Sequence, residues 1–279
     1  MTGPTTGLAT TAFLPPAGDG VDSIGLAESV HGVRVLLGRS LRHVTRSPDT
    51  IVTTALMPVA MLLLFVYVFG SAIQAGADTG AYVDYLLPGI LLITVVSGIS
   101  YTAFRLFLDV QRGIVERTWT FPVPRSAILW AHVLTSLVAN AISLVLVVGV
   151  ALLMGFRSGA GPLEWLAVVG LLALFTLALT WLAVIPGLTA STPDGASGFA
   201  YPLLLLPFLS SAFVPTDTMP GPVAAFAEHQ PVTSLADAIR GLLAGTPVGD
   251  QAWTALAWCS GLLVVALVLA LRVYRRRLG

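Results

Sequence analysis

Stretches of uncharged, mostly apolar residues long enough to cross a bilayer recur along this chain, and no other property limits its fold as much. A hydrocarbon layer about 30 Å thick takes roughly 20 residues of helix at about 1.5 Å rise per residue. Six stretches meet or approach that length: 51–71, 86–104, 126–156, 163–186, 197–214 and 253–272. Each must satisfy its backbone polar groups within itself, which restricts it to helix. Composition agrees, since only 10% of the residues are charged, against about 25% in soluble domains. The expected fold class is therefore all-α and integral to the membrane, with six transmembrane helices. The third stretch exceeds a bilayer's thickness and should tilt or project. Pro58, Pro202 and Pro207 lie inside apolar stretches, where a missing donor frees a carbonyl that neighbouring helices must satisfy.

Ahead of the first stretch, Leu26, Val30, Val33, Leu37, Leu41 and Val44 step by three and four, with Arg34, Arg39, Arg42 and Arg46 largely opposite. That pattern predicts an amphipathic helix over 23–47 lying in the membrane interface, its arginines toward anionic headgroups. Residues 1–22 lack the charged start and apolar core of a cleaved signal and read as a disordered cytoplasmic tail. All 14 basic residues are arginine. Four precede the first span, four lie in 105–125 and four follow the last, whereas only Arg157 and Arg240 fall on the other side. Basic flanks are retained in the cytoplasm, so both termini are expected there.

The most charged segment between two membrane-length stretches is 104–125. Arg105, Asp109, Arg112, Glu116 and Arg117 recur at near-helical spacing until Pro122 and Pro124, which predicts a short polar helix at the membrane surface. On the opposite side, the loop 215–250 is rich in proline and glycine at its start. It predicts two short helices at the outer interface or re-entering the outer leaflet. The second would be capped by Thr233 or Ser234, carry a stripe of Leu235, Ile239 and Leu242, and end near Gly241 or Gly245.

Several chemistries are excluded or disfavoured. The chain has no lysine and hence no phosphate-binding Gly-Lys-Ser/Thr loop, so it cannot hydrolyse ATP by itself. Cys259 stands alone, which rules out an intramolecular disulfide or a thiolate cluster. His31, His43, His132 and His229 are scattered without ligand spacing, leaving no metal site and no catalytic constellation. No basic face points to nucleic acid. The predicted spans carry no charge near their centres, against the habit of ion-coupled transporters. Asn140 and His132 are the strongest polar residues within them and suit interhelical hydrogen bonds.

Two stretches carry a family resemblance. Gln111-Arg-Gly-Ile-Val-Glu-Arg117 followed by Phe121-Pro-Val-Pro-Arg125 is one; Phe208-Leu-Ser-Ser-Ala-Phe-Val-Pro-Thr-Asp-Thr-Met-Pro-Gly221 with Gln230-Pro-Val-Thr-Ser-Leu-Ala-Asp-Ala-Ile-Arg-Gly241 is the other. They resemble the ABC-2 type permeases, membrane subunits of bacterial ABC exporters, and the daunorubicin-resistance-like branch in particular. The resemblance implies a six-span domain over 48–279 in the bacterial inner membrane, with a coupling loop at 105–125 and an outer loop at 215–250. It also implies a second permease chain, identical or homologous, and two copies of an ABC ATPase. ATP and magnesium belong to that partner, and this chain binds no cofactor. Export of a hydrophobic or amphipathic compound is the implied activity, as in multidrug or antibiotic resistance. A membrane scaffold or an ATP-independent secondary transporter is the alternative. By the same resemblance, Arg39, Arg42, Arg105, Asp109, Arg112, Glu116 and Arg117 would dock the ATPase. Tyr67, Phe69, Tyr101, Phe104, Tyr201 and Phe208 would line the substrate path, where aromatics supply area and polar tips.

Overall fold

A computed structural model of the chain describes residues 48–69, 79–114 and 127–278. The expected tail at 1–22, the interfacial helix at 23–47 and the second half of the charged segment lie outside them. Every regular element among the described residues is helical. Helix α1 (Pro48–Leu63) runs into a π-helical stretch, Leu64–Phe69. The long helices α2 (Thr79–Gln111), α3 (Ala127–Leu153) and α4 (Pro162–Thr189) follow. Short elements come next: α5 (Pro193–Gly198), α6 (Ala200–Leu205), α7 (Gly221–His229) and α8 (Pro231–Ala244). Helix α9 (Asp250–Leu278) closes the bundle. Among the described residues four helices, α2, α3, α4 and α9, are long and apolar enough to cross a membrane.

Local sequence explains the boundaries. Gly113 (φ 66°) and Gly155 (φ 101°) end α2 and α3 in the left-handed region open to a residue without Cβ. Gly161 and Pro162 open α4, proline at a first-turn position losing a donor that has no helical partner anyway. Helix α2 runs past its expected end at residue 104 to Gln111. The first part of the charged segment is thus the last two turns of a membrane helix rather than a separate surface helix.

Helix α2 is the hub. Leu86, Leu87, Ile90, Leu91, Leu92 and Ile93 are all essentially inaccessible, as befits a helix covered on every side. It touches α1, α3, α4, α5, α6 and α8. Within its spanning stretch 83% of residues are buried, against 22% for α9, whose Trp253, Trp258, Val264 and Val265 face outward. Lipid is as apolar as leucine, so close packing rather than water exclusion must hold such helices together. Gly89 supplies one close approach: a Cβ there would sit 3.0 Å from Ala212 and the Phe213 ring.

The stretch 197–214, expected to cross as one helix, does not. It breaks into α5, α6 and a single 3-10 turn, Leu206–Leu209, before Ser210 turns extended (φ −132°, ψ 175°). Proline is the local cause, since Pro202 and Pro207 each remove a helical donor. Non-helical backbone survives at membrane depth only where protein satisfies it, and here it does. Gln230 Nε2 donates to the carbonyls of Leu206 and Leu209. Tyr85 donates its hydroxyl to Ser211 O at 3.0 Å. Arg240 reaches Ser211 O at 2.8 Å and Ala212 O at 3.4 Å.

Both short helices predicted in 215–250 form, and α8 lies against the bundle. Its Val232, Leu235, Ala236, Ile239 and Leu243 are buried, and it packs on α2, α4 and α9 rather than resting on the surface. Its N-cap is Gln230 followed by Pro231, not Thr233 or Ser234, which are buried in the first turn. Gly245 (φ 68°) ends it.

Candidate functional site

The charged end of α2 meets the start of α3. Asp109 Oδ2 lies 3.1 Å from His132 Nε2, an interhelical pair that brings together one residue expected to dock a partner and one expected to bond within the membrane. One turn earlier, the guanidinium of Arg105 stands 5.9 Å from the centre of the Tyr101 ring. Arg112, just past the helix, is exposed. Among the docking residues within the described chain, Arg112 alone projects into solvent, while Asp109 is engaged by α3. Arg39, Arg42, Glu116 and Arg117 lie outside the described residues.

Deeper between the helices, hydroxyls form a chain. Thr102 of α2 donates to Ser136 Oγ of α3 at 2.8 Å, and Ser136 lies 3.3 Å from Thr180 Oγ1 of α4. Such bonds tie three apolar helices in register. Asn140 donates from Nδ2 to Ser136 O at 3.1 Å within its own helix, so its predicted interhelical bond does not form. Its Oδ1 has no hydrogen-bond partner and faces Gly98 of α2, where a Cβ would overlap the amide. Thr54, Gly98, Tyr101, Arg105, His132 and Asn140 are among the residues lining a small polar cleft between α1, α2 and α3.

The proposed path residues fall into separate groups. Tyr101 and Phe104 lie 6.4 Å apart on α2. Phe208 stacks on Phe213 at 5.0 Å, and Phe213 on Phe65 at 5.3 Å, joining the broken segment to the π-helical stretch. Tyr67 and Tyr201 are 62% and 70% exposed and touch neither group closely enough to form a ring pair. The side chain of Phe69 lies outside the described set.

Sidedness is visible in the packing. Tyr274 of α9 packs in one cluster with Leu106 and Ile128, which brings Arg272, Arg275 and Arg276 to the same end as Arg105 and Arg112. Arg240 sits at the other end with the start of α2, contacting Tyr85. The backbone N–H of Arg157 donates to Asp84 there as well.

A family profile described as ABC-2 type transporter matches residues 31–244, from ahead of α1 to the last residue of α8. The chain belongs to the ABC-2 type transporter family. ABC-2 relatives include the daunorubicin resistance ABC transporter permease protein DrrB1 of Streptomyces coeruleorubidus, 31% identical over 255 residues, covering 90% of this chain and 88% of the relative. The probable doxorubicin resistance ABC transporter permease protein DrrC of Mycobacterium tuberculosis is 25% identical over 239 residues, covering 85% and 86%. The putative transport permease ycf38 of Porphyra purpurea is 25% identical over 224 residues, covering 78% and 76%. This ABC-2 chain is thus a multi-pass membrane protein of a permease family associated with ABC transporters.

Sequence reasoning missed the hydroxyl chain of Thr102, Ser136 and Thr180, the clearance role of Gly98 and the task of Arg240. One signal for the last was present: Arg240 is an arginine on the arginine-poor side, three residues after Asp237.

Proposed function

We propose that this chain is the membrane subunit of an ATP-driven exporter. It pairs with a second permease chain and two separate ABC ATPases, and it moves a hydrophobic or amphipathic compound outward. The observation that carries this reading is the family match from ahead of α1 through α8, with relatives named for daunorubicin and doxorubicin resistance. Absence of lysine from the chain assigns the ATP chemistry to another subunit.

In this reading the chain crosses six times, with both termini cytoplasmic. The π-extended α1 makes the first crossing and the broken segment with α8 replaces a simple fifth, while residues 23–47 lie in the inner interface. Clustering of Arg105, Arg112, Arg272, Arg275 and Arg276 at one end supports that orientation. The ATPase docks against Arg112 with Glu116, Arg117, Arg39 and Arg42, through charge-assisted contacts that carry ATP-driven closure into α2 and α3. Arg105 and Asp109 act behind that contact, on the helix it moves. Cargo passes along aromatic residues, with Tyr101 and Phe104 on α2 and Tyr67, Phe69, Tyr201 and Phe208 as the further candidates.

Co-purification with a candidate ABC ATPase tests the proposal. Native chain should recover the ATPase and alter its rate, and Glu116→Arg with Arg117→Glu should abolish recovery while the permease remains folded. No complex with the native chain, or transport that continues without ATP and collapses with an ion gradient, would overturn it in favour of a scaffold or a secondary transporter.

A further inference from the structure

The cleft between α1, α2 and α3 has an unusual make-up for a space inside an apolar bundle. Its walls carry Thr54, Thr102, Thr135, Ser136 and Asn140, with Arg105 and His132 at the charged end of α2. Most hydroxyl protons are already committed: Thr102 donates to Ser136 and Thr135 donates to Ala131 O at 2.6 Å. Arg105 differs. It forms no ion pair among the described residues, whereas Asp109, one turn on, is engaged by His132. A guanidinium presents five donors in a planar fork that matches an oxyanion. The cleft therefore offers strong donation at one place, to an acceptor that carries charge.

Size restricts the ligand further. The volume of the cleft is about 30 Å³, room for a couple of waters or the tip of one polar group, against roughly 300–1,000 Å³ for sites that engulf a drug-sized molecule. Whatever binds must leave its bulk outside. Outside, on α1, Leu56 and Met57 are each 61% exposed, and Trp130 of α3 is partly exposed. Such surroundings suit acyl chains. Basic clefts between spans on the cytoplasmic side hold anionic lipid headgroups by this combination of a cation and flanking apolar surface.

We propose that the cleft between α1, α2 and α3 binds the phosphate of one anionic phospholipid from the leaflet at the arginine-rich end, with Arg105 as its principal donor. The acyl chains lie along α1 and α3. The lipid ties α1 to α2 and α3, a helix that the hydroxyl chain of α2, α3 and α4 does not reach, and it sits beside the α2 end that leads to the docking segment. Only the assignment of that leaflet as cytoplasmic depends on the exporter reading.

The test uses the full-length chain, without ATPase, in nanodiscs of phosphatidylcholine with increasing phosphatidylglycerol, followed by native mass spectrometry of retained lipid. Native chain should hold one phosphatidylglycerol in preference to phosphatidylcholine. Arg105→Gln should lower that preference about five- to tenfold, while Arg276→Gln, an exposed arginine at the same end outside the cleft, should leave it unchanged. Equal retention of the two lipids by the native chain overturns the proposal without any variant, as does equal preference in Arg105→Gln. Displacement by millimolar glycerol 3-phosphate would identify a free-phosphate site and overturn the lipid assignment. Since no ATPase is present, failure here leaves the exporter reading standing, and failed ATPase recovery leaves lipid retention to be read by itself.

Discussion

Two polar regions interrupt this apolar bundle, and they are built to different ends. At the arginine-poor end, Arg240 lies 2.6 Å from Asp237, reaches the carbonyls of Tyr85, Ser211 and Ala212, and sits 4.2 Å above the Tyr85 ring. Ser211 Oγ also donates to Asp237 at 2.7 Å. Two contacts in this knot, to the carbonyls of Ser211 and Ala212, repair backbone left open by the broken segment, and the rest hold Arg240 in place to make them. At the arginine-rich end, by contrast, the helices are unbroken. There His132, Arg105 and Asn140 line a cleft, with Asp109 held against His132, Arg105 in no ion pair among the described residues and Asn140 Oδ1 without a donor. Polar groups in low dielectric are costly unless satisfied. One region answers most of that cost with internal partners, leaving Arg240 Nε and Gln230 Oε1 without one, and the other leaves Asn140 Oδ1 without a donor and Arg105 facing a space.

The contrast can be broken from either side. The largest effect should come from Arg240→Met, which takes the charged partner from Asp237, a donor from the carbonyl of Ser211 and the side-chain donor from that of Ala212. A loss on the order of 3 kcal/mol is expected, read as a lower unfolding midpoint in detergent. A change below ~1 kcal/mol would mean that the broken segment is held by Gln230 and Tyr85 alone.

Gly98→Ala comes next. The added methyl overlaps Asn140 and should cost about 2 kcal/mol. Combining it with Asn140→Ala should recover most of that loss, giving a clear coupling in a double-mutant cycle. Additive effects would mean that α2 and α3 do not meet at this point.

Asp109→Asn removes the partner of His132 and should cost about 1 kcal/mol, because both side chains keep some exposure. Measured against Arg240→Met, it compares the two side-chain pairs directly, and an equal loss would erase the distinction between the regions. Thr102→Val should be the mildest, at about 0.6 kcal/mol for one interhelical hydrogen bond, read in the same unfolding experiment.

Much of the architecture was legible because membrane burial imposes a length and an apolar composition on each span. The stretches around α2, α3, α4 and α9 announced themselves this way, and their ends moved by only a few residues except at α2. That helix continues through Arg105 and Asp109 because Asp109 finds His132 across the interface, a partner that linear spacing could not supply. Pro202 and Pro207 warned of a kink in 197–214, but not of a full break. Whether a freed carbonyl ends a helix depends on which donors stand nearby, and Tyr85, Gln230 and Arg240 come from elsewhere in the chain. The resemblance carried by 208–221 and 230–241 identified the family, yet left the aromatic residues as one set where the packing separates them.

By itself the sequence determined that this is a helical membrane protein with its arginines gathered to one side. Those properties follow from composition and order along the chain, because hydration cost is summed residue by residue. Tertiary structure alone decided that α2 is the hub, that the fifth apolar stretch breaks, and that Arg240 repairs the break while Arg105 borders an open cleft. These outcomes depend on which groups meet in three dimensions, and a polar atom's energy in low dielectric is set by the partner it meets.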